Sequence, residues 1–191
     1  MIYKNVQGWF ESEILFSESV KMARPQSTFV EVGSWKGKSS CYMAEEIKRS
    51  GKKIDLFCVD TWEGSAEHAN DPTVINGTLF EEFSANVAPF VGIIKPLRMT
   101  SLQASNFFSP ESIDFLYLDA SHDYKSVLDD LEAWFTKLKP GATLAGDDYA
   151  PNWDGVVKAV DQFSKENGLK LTIIGHDWVL VKFKTIRAEA I

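Results

Sequence analysis

The sequence predicts an α/β protein with a mostly parallel seven-stranded sheet, helices on both faces and an antiparallel C-terminal hairpin strand. First, short apolar runs alternate with segments of helical spacing, which is typical of strands joined by crossover helices. Second, four of the first five apolar runs end at an acidic residue. Third, the last two runs are separated only by residues 175–177, so they form a hairpin and the final strand runs antiparallel.

The composition predicts one domain of residues 1–191 that resides in the cytoplasm. Its 191 residues are 45% hydrophobic, which is enough for one full core. The net charge of −7 disfavours nucleic acid as a partner, since nucleic-acid binders usually carry a basic face. A signal-peptide pattern and a membrane-length apolar run are both absent from the sequence. Cys41 and Cys58 are expected to be reduced core thiols. A homo-oligomer is possible for a chain of this size.

The N-terminal elements follow from apolar spacing and from the residues that interrupt it. Residues 1–27 form a helical segment, with an imperfect apolar stripe over 9–23, and residues 28–191 form the core. The predicted elements that follow are a strand at 28–32, a helix at 39–48 and a strand at 53–60. Residues 61–78 have no regular pattern, and so long a connection inside a compact domain is a candidate lid.

The remaining elements continue the alternation. Helix 124–137 is the clearest of them, because its apolar residues recur at helical spacing up to Leu138. Pro140 and Gly141 then turn the chain into the next strand. The other predicted helices are 79–87 and 154–167, and the other predicted strands are 93–97, 113–119, 142–147, 169–174 and 178–183.

A glycine motif follows the first strand and indicates a cofactor site. Glu31-x-Gly33-x-x-x-Gly37 reads as a strand end, a tight turn and a helix start, where glycine lets a ligand approach the backbone. Ser34 and Ser39 belong to the same loop and are predicted to border the cofactor. Trp35 occupies the place of the second glycine in a dinucleotide fingerprint, which disfavours a pyrophosphate and hence a nucleotide-dependent oxidoreductase.

Acidic residues at the strand ends should meet in one crevice. Asp60 ends the second strand, where a carboxylate can accept hydrogen bonds from both hydroxyls of a ribose. Glu31 is expected to orient the glycine loop and to receive the amino group of the cofactor. Trp62 is the candidate for stacking on the adenine, and Ser101, after the third strand, is a candidate contact of the adenine or its ribose.

A second acidic cluster predicts a metal site. Asp119, Asp147 and Asp148 end adjacent strands, and Mg²⁺ prefers such oxygen ligands. The alternative is that Asp148 caps the next helix or turn while Asp147 only faces solvent. His122 lies three residues after Asp119 and is a candidate for a role in the cleft, where its imidazole could accept a proton from a substrate hydroxyl. His68 and His176 are expected to be surface residues.

These motifs together resemble class I S-adenosylmethionine (AdoMet) methyltransferases. The similar segments are 31–39, 59–64, 114–124 and 138–149. They are similar to the methyltransferase 24-like group that includes macrocin-type sugar O-methyltransferases and, more distantly, to catechol O-methyltransferase. The resemblance implies a Rossmann-like fold, AdoMet as cofactor and Mg²⁺-assisted O-methylation of a small-molecule or sugar hydroxyl. It places Asp119, Asp147 and Asp148 on the metal positions, Asp60 on the ribose, and His122 where catechol-type members have a catalytic lysine.

Several functional alternatives remain at this point. The catalytic proton acceptor is His122 or Asp119, and Asp119 also borders the cofactor. The expected acceptor is a small hydroxyl compound, such as a sugar or glycosylated metabolite, with no nucleic-acid or membrane partner. An AdoMet-binding protein without methyltransferase activity, or a methyltransferase that needs no metal, would carry the same cofactor motif.

Overall fold

Seven strands form one sheet in the computed structural model, which describes residues 1–183. The strands are β1 (Ser27–Val32), β2 (Ile54–Asp60), β3 (Ile94–Arg98), β4 (Ile113–Leu118), β5 (Leu138–Gly146), β6 (Thr172–Ile174) and β7 (Asp177–Val181). Their order is β3-β2-β1-β4-β5-β7-β6, and β7 alone runs antiparallel to its neighbours. The predicted fold class is therefore confirmed, including the antiparallel hairpin strand.

Helices cover both faces of this sheet. They are α1 (Glu13–Met22), α2 (Lys38–Ser50), α3 (Pro72–Ile75), α4 (Leu79–Val87), α5 (Ser101–Ser105), α6 (Tyr124–Phe135) and α7 (Asp154–Glu166). Short 3-10 turns lie at Ile2–Asn5, Ala66–His68 and Ala88–Phe90. Within residues 1–183, no helix has the length and apolar character that a membrane span requires.

The core consists of two apolar layers, one on each face of the sheet. Helices α1, α2 and α4 pack on one face, and α5, α6 and α7 pack on the other. Successive residues of β1 show the alternation, because Phe29 belongs to the first layer and Val30 to the second. Trp134 of α6 is fully buried in the second layer, so its predicted place in the core is confirmed. Burial of a large apolar side chain contributes roughly 1.5–3 kcal/mol.

Element boundaries differ from the prediction where tertiary contacts outweigh local spacing. The N-terminal helix begins at Glu13 rather than at residue 9, because Phe10 packs against the rings of Tyr3, Phe16 and Tyr42. Strand β5 begins at Leu138, and a register shift against β4 accommodates the predicted turn. Helices α3 and α5 were not predicted, because each is only one turn long.

The topology of the sheet indicates where a ligand would bind. The chain order reverses between β1 and β4, which are adjacent although β2 and β3 come between them in sequence. In an open α/β sheet, ligands bind beyond the carboxyl ends of the strands at such a switch point. Residues that follow β1, β2, β4 and β5 are therefore brought to a common edge.

Candidate functional site

A cleft of about 940 Å³ lies at the carboxyl edge of the sheet. Its walls come from the loop after β1, the ends of β2, β4 and β5, helix α6 and the segment 61–78. Gly8 and Trp9 of the N-terminal segment also line it. The cleft is thus assembled from parts of the chain that are far apart in sequence.

Most of the residues predicted for the site line this cleft. Those that do are Gly33, Ser34, Ser39, Asp60, Ser101, Asp119, His122, Asp147 and Asp148. Three others do not line it: Glu31, Gly37 and Trp62. The strand-end pattern found the residues whose backbone faces the edge, but it does not say which way each side chain points.

The two motif glycines are also needed for contacts within the protein. Gly33 has φ +93°, and a Cβ there would lie 1.8 Å from the carbonyl oxygen of Asp119. Gly37 has φ +85°, and a Cβ there would lie 3.0 Å from side-chain atoms of Phe83 and Val87. A side chain at either position would meet the backbone of Asp119 or helix α4, so contacts within the protein also require these glycines, and the left-handed backbone favours glycine.

Glu31 supports the glycine loop from beneath. Its side chain is buried, and Oε2 accepts hydrogen bonds from the hydroxyls of Ser34 (2.9 Å) and Ser40. Oε1 is buried and has no partner among the described residues. Burial raises the pKa of this carboxyl group. Glu31 thus lies where it can orient the loop, but it does not reach the cleft in this structure.

Asp60 holds the loop and faces the cleft at the same time. Its carboxylate accepts the backbone N–H of Trp35 at 2.9 Å and that of Trp62 at 2.8 Å. Burial raises its pKa, and these backbone hydrogen bonds oppose the shift. A carboxylate oxygen has two lone pairs, so each oxygen can accept one further hydrogen bond. The arrangement therefore suits a pair of vicinal hydroxyls.

Trp62 belongs to the core rather than to the cleft. Only 2% of it is exposed, and its ring packs against Phe80 and Phe83 with centroid distances of 4.8 and 4.6 Å. Its indole N–H donates to the carbonyl of Trp35 at 2.8 Å. The prediction that Trp62 stacks on an adenine is corrected by this packing. Trp35 and Trp153 are indole side chains that line the cleft.

Ser101 and Asp130, which also line the cleft, belong to a buried polar chain. The indole N–H of Trp134 donates to the Ser101 hydroxyl at 2.8 Å, and this hydroxyl donates to Asp130 at 2.6 Å. Asp130 is only 7% exposed. Burial raises its pKa to about 6 from an ordinary value of 3.8. Residue 130 lies on α6, and nothing in its helical spacing marked it as part of the site.

Replacing Asp130 with asparagine is expected to make stability less dependent on pH. The folded protein holds the Asp130 proton more tightly than the unfolded chain does. The free energy of unfolding therefore falls as the pH rises from about 3.8 to about 6. The wild type should therefore lose roughly 1 kcal/mol, relative to Asp130→Asn, between pH 5 and pH 7.5. Urea unfolding of both proteins at the two pH values measures this difference. If the two proteins differ by the same free energy of unfolding at both pH values, folding does not raise the pKa of Asp130.

The second acidic cluster includes a histidine. One ligand atom from each of Asp119, His122 and Asp148 lies within 4.8 Å of the others. Nε2 of His122 is 2.8 Å from Oδ2 of Asp148, and Nδ1 is 3.1 Å from Oε1 of Glu67. Asp147 lies beside this group but outside it, and its Oδ1 accepts the N–H of Asp148 at 2.7 Å.

Local backbone geometry at Asp148 favours a role in the cleft over helix capping. Its φ is +64°, a left-handed value that is uncommon outside glycine and that clusters at functional sites. Helix α7 begins at Asp154 with Trp153 at its N-cap and no side-chain capping bond. The alternative in which Asp148 caps this helix is therefore excluded.

Neighbouring groups in this cluster raise the pKa values of both Asp119 and His122. Burial, together with Asp147 and Asp148, raises the pKa of Asp119 well above its ordinary range. Hydrogen bonds with Asp148 and Glu67 raise the pKa of His122 to about 9, although partial burial opposes this shift. His122 is therefore protonated at pH 7 in this arrangement, and its expected role as a base requires that a proton first leave the ring.

Besides Asp130, three contributors to the site were not predicted from the sequence. His68 was expected to be a surface residue, but its ring stacks on Trp35 at 4.1 Å and on Trp9 at 5.8 Å. Glu67 reaches His122 from the same turn. Trp9 was expected in a helical stripe. The signal in the sequence was the aromatic and acidic content of segment 61–78, which cannot identify partners elsewhere in the chain.

Comparison with known proteins identifies the family. A family model for a methyltransferase domain matches residues 30–149. No curated protein gives a significant match. The matched segment is more than half of the chain and contains the glycine loop, Asp60 and the Asp119–His122–Asp148 cluster.

Solved structures share the fold at low sequence identity. One is the O-methyltransferase from Bacillus cereus in complex with S-adenosylhomocysteine, at 17% identity, with 94% of this chain and 86% of that chain covered and a TM-score of 0.60. A candidate caffeoyl-CoA O-methyltransferase from Staphylococcus aureus is 14% identical, with 94% and 87% covered and a TM-score of 0.66. A candidate rRNA methylase from Clostridium thermocellum is 10% identical, with 92% and 98% covered and a TM-score of 0.63.

These structures agree on the fold and differ in what their names say they methylate, so the likeness by itself does not select an acceptor. The family assignment depends on the matched segment, in which the cleft residues occur in the expected order after their strands. The chain therefore belongs to the methyltransferase domain family and is an AdoMet-dependent methyltransferase.

Proposed function

We propose that this protein transfers the methyl group of AdoMet to a hydroxyl of a small-molecule acceptor, with the help of a divalent cation such as Mg²⁺. The observation that carries the proposal is the cluster of Asp119, His122 and Asp148, which opens into the same cleft as Asp60. Methyl transfer is an in-line displacement, so the protein contributes chiefly by aligning donor and acceptor. A cleft with a cofactor end and a hydroxyl-activating end meets this need.

The cofactor end is assigned from the hydrogen-bonding groups that face the cleft. Asp60 would accept the two ribose hydroxyls, because both of its oxygens keep acceptor capacity. Gly33, Ser34 and Ser39 would border the amino-acid portion, close to the N-terminus of α2, where a carboxylate is favoured. Ser101 would border the adenine portion. Glu31 would act on the cofactor only through the loop that it supports.

The donor set fits a hard divalent cation. Asp119 and Asp148 supply carboxylate oxygens, which Mg²⁺ prefers, and His122 supplies a nitrogen that suits Mn²⁺ or a softer ion better. Burial and the neighbouring carboxylates raise the pKa of Asp119, and a bound cation would favour its ionised form. Asp147 would support the site through the oxygen that does not accept the N–H of Asp148. A bound ion would lower the pKa of an acceptor hydroxyl.

Proton removal is assigned to His122 or Asp119. His122 lies between two carboxylates, so its Nε2 can accept a substrate proton only after it has lost its own proton on the Asp148 side. Asp119 is the alternative, because its carboxyl group belongs to the same cluster and lines the cleft. General-base assistance contributes roughly 10²–10⁴-fold in rate.

The charge of the cleft disfavours an anionic acceptor. Seven carboxylates line it: Asp60, Glu67, Asp119, Asp129, Asp130, Asp147 and Asp148. Among the lining residues that the structure describes, Lys38 is the only lysine or arginine, and its Nζ donates to the carbonyl of Gly8. A phosphorylated acceptor or RNA would meet like charge here. The ring of Trp153 lies against that of His122 and gives the cleft an apolar wall, so a sugar or glycosylated metabolite is the proposed acceptor class.

Loss of the Asp60 side chain is expected to weaken cofactor binding. Hydrogen bonds to a charged group contribute roughly 1.5–3 kcal/mol each, so Asp60→Ala should bind S-adenosylhomocysteine at least about 10-fold more weakly. Calorimetric titration of both proteins measures the change. Asp55→Ala is the control, because Asp55 pairs with Lys95 at the surface, outside the cleft. Equal affinity in Asp60→Ala and wild type would remove Asp60 from the cofactor site.

The function itself is tested by an acceptor screen with Mg²⁺ and with EDTA. Neutral polyols, glycosides and phenols are incubated with AdoMet, and formation of S-adenosylhomocysteine is measured. Turnover that requires both an acceptor and Mg²⁺ would support the proposal. Full turnover in EDTA would identify a metal-independent methyltransferase, the alternative that retains the same cofactor residues.

A further inference from the structure

Two residues of the turn Ala66–His68, Glu67 and His68, line the cleft, and they contact different parts of its wall. Glu67 bonds to Nδ1 of His122 at 3.1 Å, on the side of the acidic cluster. The next residue, His68, stacks against Trp35 of the glycine loop and against Trp9 of the N-terminal segment, on the cofactor side. Two consecutive side chains thus connect the two ends of the cleft.

Further contacts hold this turn in place. Within the turn region, the Ser65 hydroxyl lies 2.9 Å from Nδ1 of His68. Just beyond it, Asp71 pairs at 2.9 Å with Lys36, which is only 5% exposed. Lys36 belongs to the glycine loop, so the segment is connected to that loop by an ion pair as well as by ring stacking. Glu67 itself is 45% exposed, but the turn that carries it is anchored by these neighbouring contacts.

The imidazole of His122 is held at three points. Glu67 binds Nδ1, Asp148 binds Nε2 at 2.8 Å, and the ring of Trp153 lies against it with centroids 4.0 Å apart. Only 19% of the His122 side chain is exposed. The Glu67 carboxylate keeps a proton on Nδ1, so Nε2 is the nitrogen that faces Asp148 and the acidic cluster.

We propose that Glu67 is a positioning residue, which orients His122 so that Nε2 faces the acidic cluster and thereby makes that cluster dependent on the placement of segment 61–78. The inference rests on the proposed function for the role of His122, but the orientation itself follows from the contacts above. Removal of the Glu67 carboxylate frees Nδ1 and leaves the ring held only by Asp148 and Trp153, so the ring can shift although Asp119 and Asp148 keep their places.

The experiment compares wild type with Glu67→Ala, Glu67→Gln and the control Glu63→Ala. Glu63 lies in the same segment and carries the same charge, but it does not line the cleft. The first readout is NMR of the metal-free protein, in which cross-peaks between the His122 and Trp153 rings are expected in wild type and Glu63→Ala. These cross-peaks should weaken in Glu67→Ala, as the rings separate, and change less in Glu67→Gln, whose amide oxygen can still accept from Nδ1.

Two further readouts connect orientation with function. Calorimetric titration with Mg²⁺ alone should show about 10–100-fold weaker binding in Glu67→Ala, the range typical when the outer partner of a metal-site histidine is removed. Where an acceptor is known, kcat should fall by a similar factor while the KM for AdoMet changes less than about 2-fold. The variant removes no proposed contact with AdoMet, so binding of the cofactor is unchanged.

The outcomes separate the inference from the function on which it rests. Unchanged cross-peaks between the two rings in Glu67→Ala would overturn the inference whatever the activity. If the rings separate in Glu67→Ala while all four proteins bind Mg²⁺ equally, the cluster does not depend on the segment and that part of the inference is overturned. Wild type that binds no Mg²⁺ would overturn the metal part of the proposed function, and the NMR result would still decide the role of Glu67 in orienting His122.

Discussion

Replacing Asp148 with alanine is expected to reduce kcat/KM for methyl transfer about 10³-fold. The carboxylate holds Nε2 of His122 and is one of three groups that converge on the proposed cation site. Loss of an activating cation removes several kcal/mol of transition-state stabilisation, and each 1.36 kcal/mol changes the rate tenfold. Steady-state kinetics with a range of Mg²⁺ concentrations measures the change and shows whether added cation restores any activity.

The matched control for Asp148→Ala is Asp129→Ala. Asp129 also lines the cleft and carries the same charge, but it pairs with Lys125 on α6 and lies outside the cluster. Asp148→Ala should still bind S-adenosylhomocysteine with wild-type affinity, because the proposed cofactor contacts are elsewhere. Equal activity of the two variants would mean that only the overall charge of the cleft matters, and the proposed metal site would then be wrong.

Replacing Gly33 with alanine is expected to reduce the free energy of unfolding by about 2–5 kcal/mol. A left-handed backbone costs roughly 1–2 kcal/mol for a residue with a Cβ, and overpacking adds roughly 1–3 kcal/mol. The clash is with the carbonyl oxygen of Asp119, which belongs to the protein's own backbone. The loss should therefore be present without any cofactor, and urea unfolding of the ligand-free protein measures it.

Gly51→Ala separates the two contributions to this loss. Gly51 also has a left-handed φ, of +68°, but a Cβ there would meet nothing within 4 Å. Its replacement should cost only about 1–2 kcal/mol. If Gly33→Ala were no more costly than Gly51→Ala, the close approach of β1 to Asp119 would not constrain residue 33. Its presence in the motif would then be explained by the cofactor alone.

The fold was predictable because its signals are local. A buried parallel strand is a short apolar run, and a crossover helix shows apolar spacing of three to four residues, so β1, β2, β4 and α6 could be located from single segments. The short gap at 175–177 was enough to predict the antiparallel strand β7. The error at the N-terminal helix arose because aromatic packing of Phe10 replaced helical structure.

The site was predictable only in part, because position along a strand does not fix the direction of a side chain. Asp60 and Asp119 follow strand ends and do line the cleft. Trp62 also follows a strand end, but it turns into the core between α4 and the glycine loop. Asp130 and Glu67 enter the site from a helix and from a short turn, and no strand-end rule applies to them.

The sequence by itself determined the succession of strands and helices along the chain and the residues at the carboxyl edge of the sheet. It could do so because periodicity and strand ends are properties of contiguous residues. The tertiary structure alone decided that Gly33 makes room for the backbone of Asp119, and that His122 lies between Glu67 and Asp148. These contacts join residues up to 86 positions apart (119 minus 33), and their geometry depends on the packing of the whole sheet.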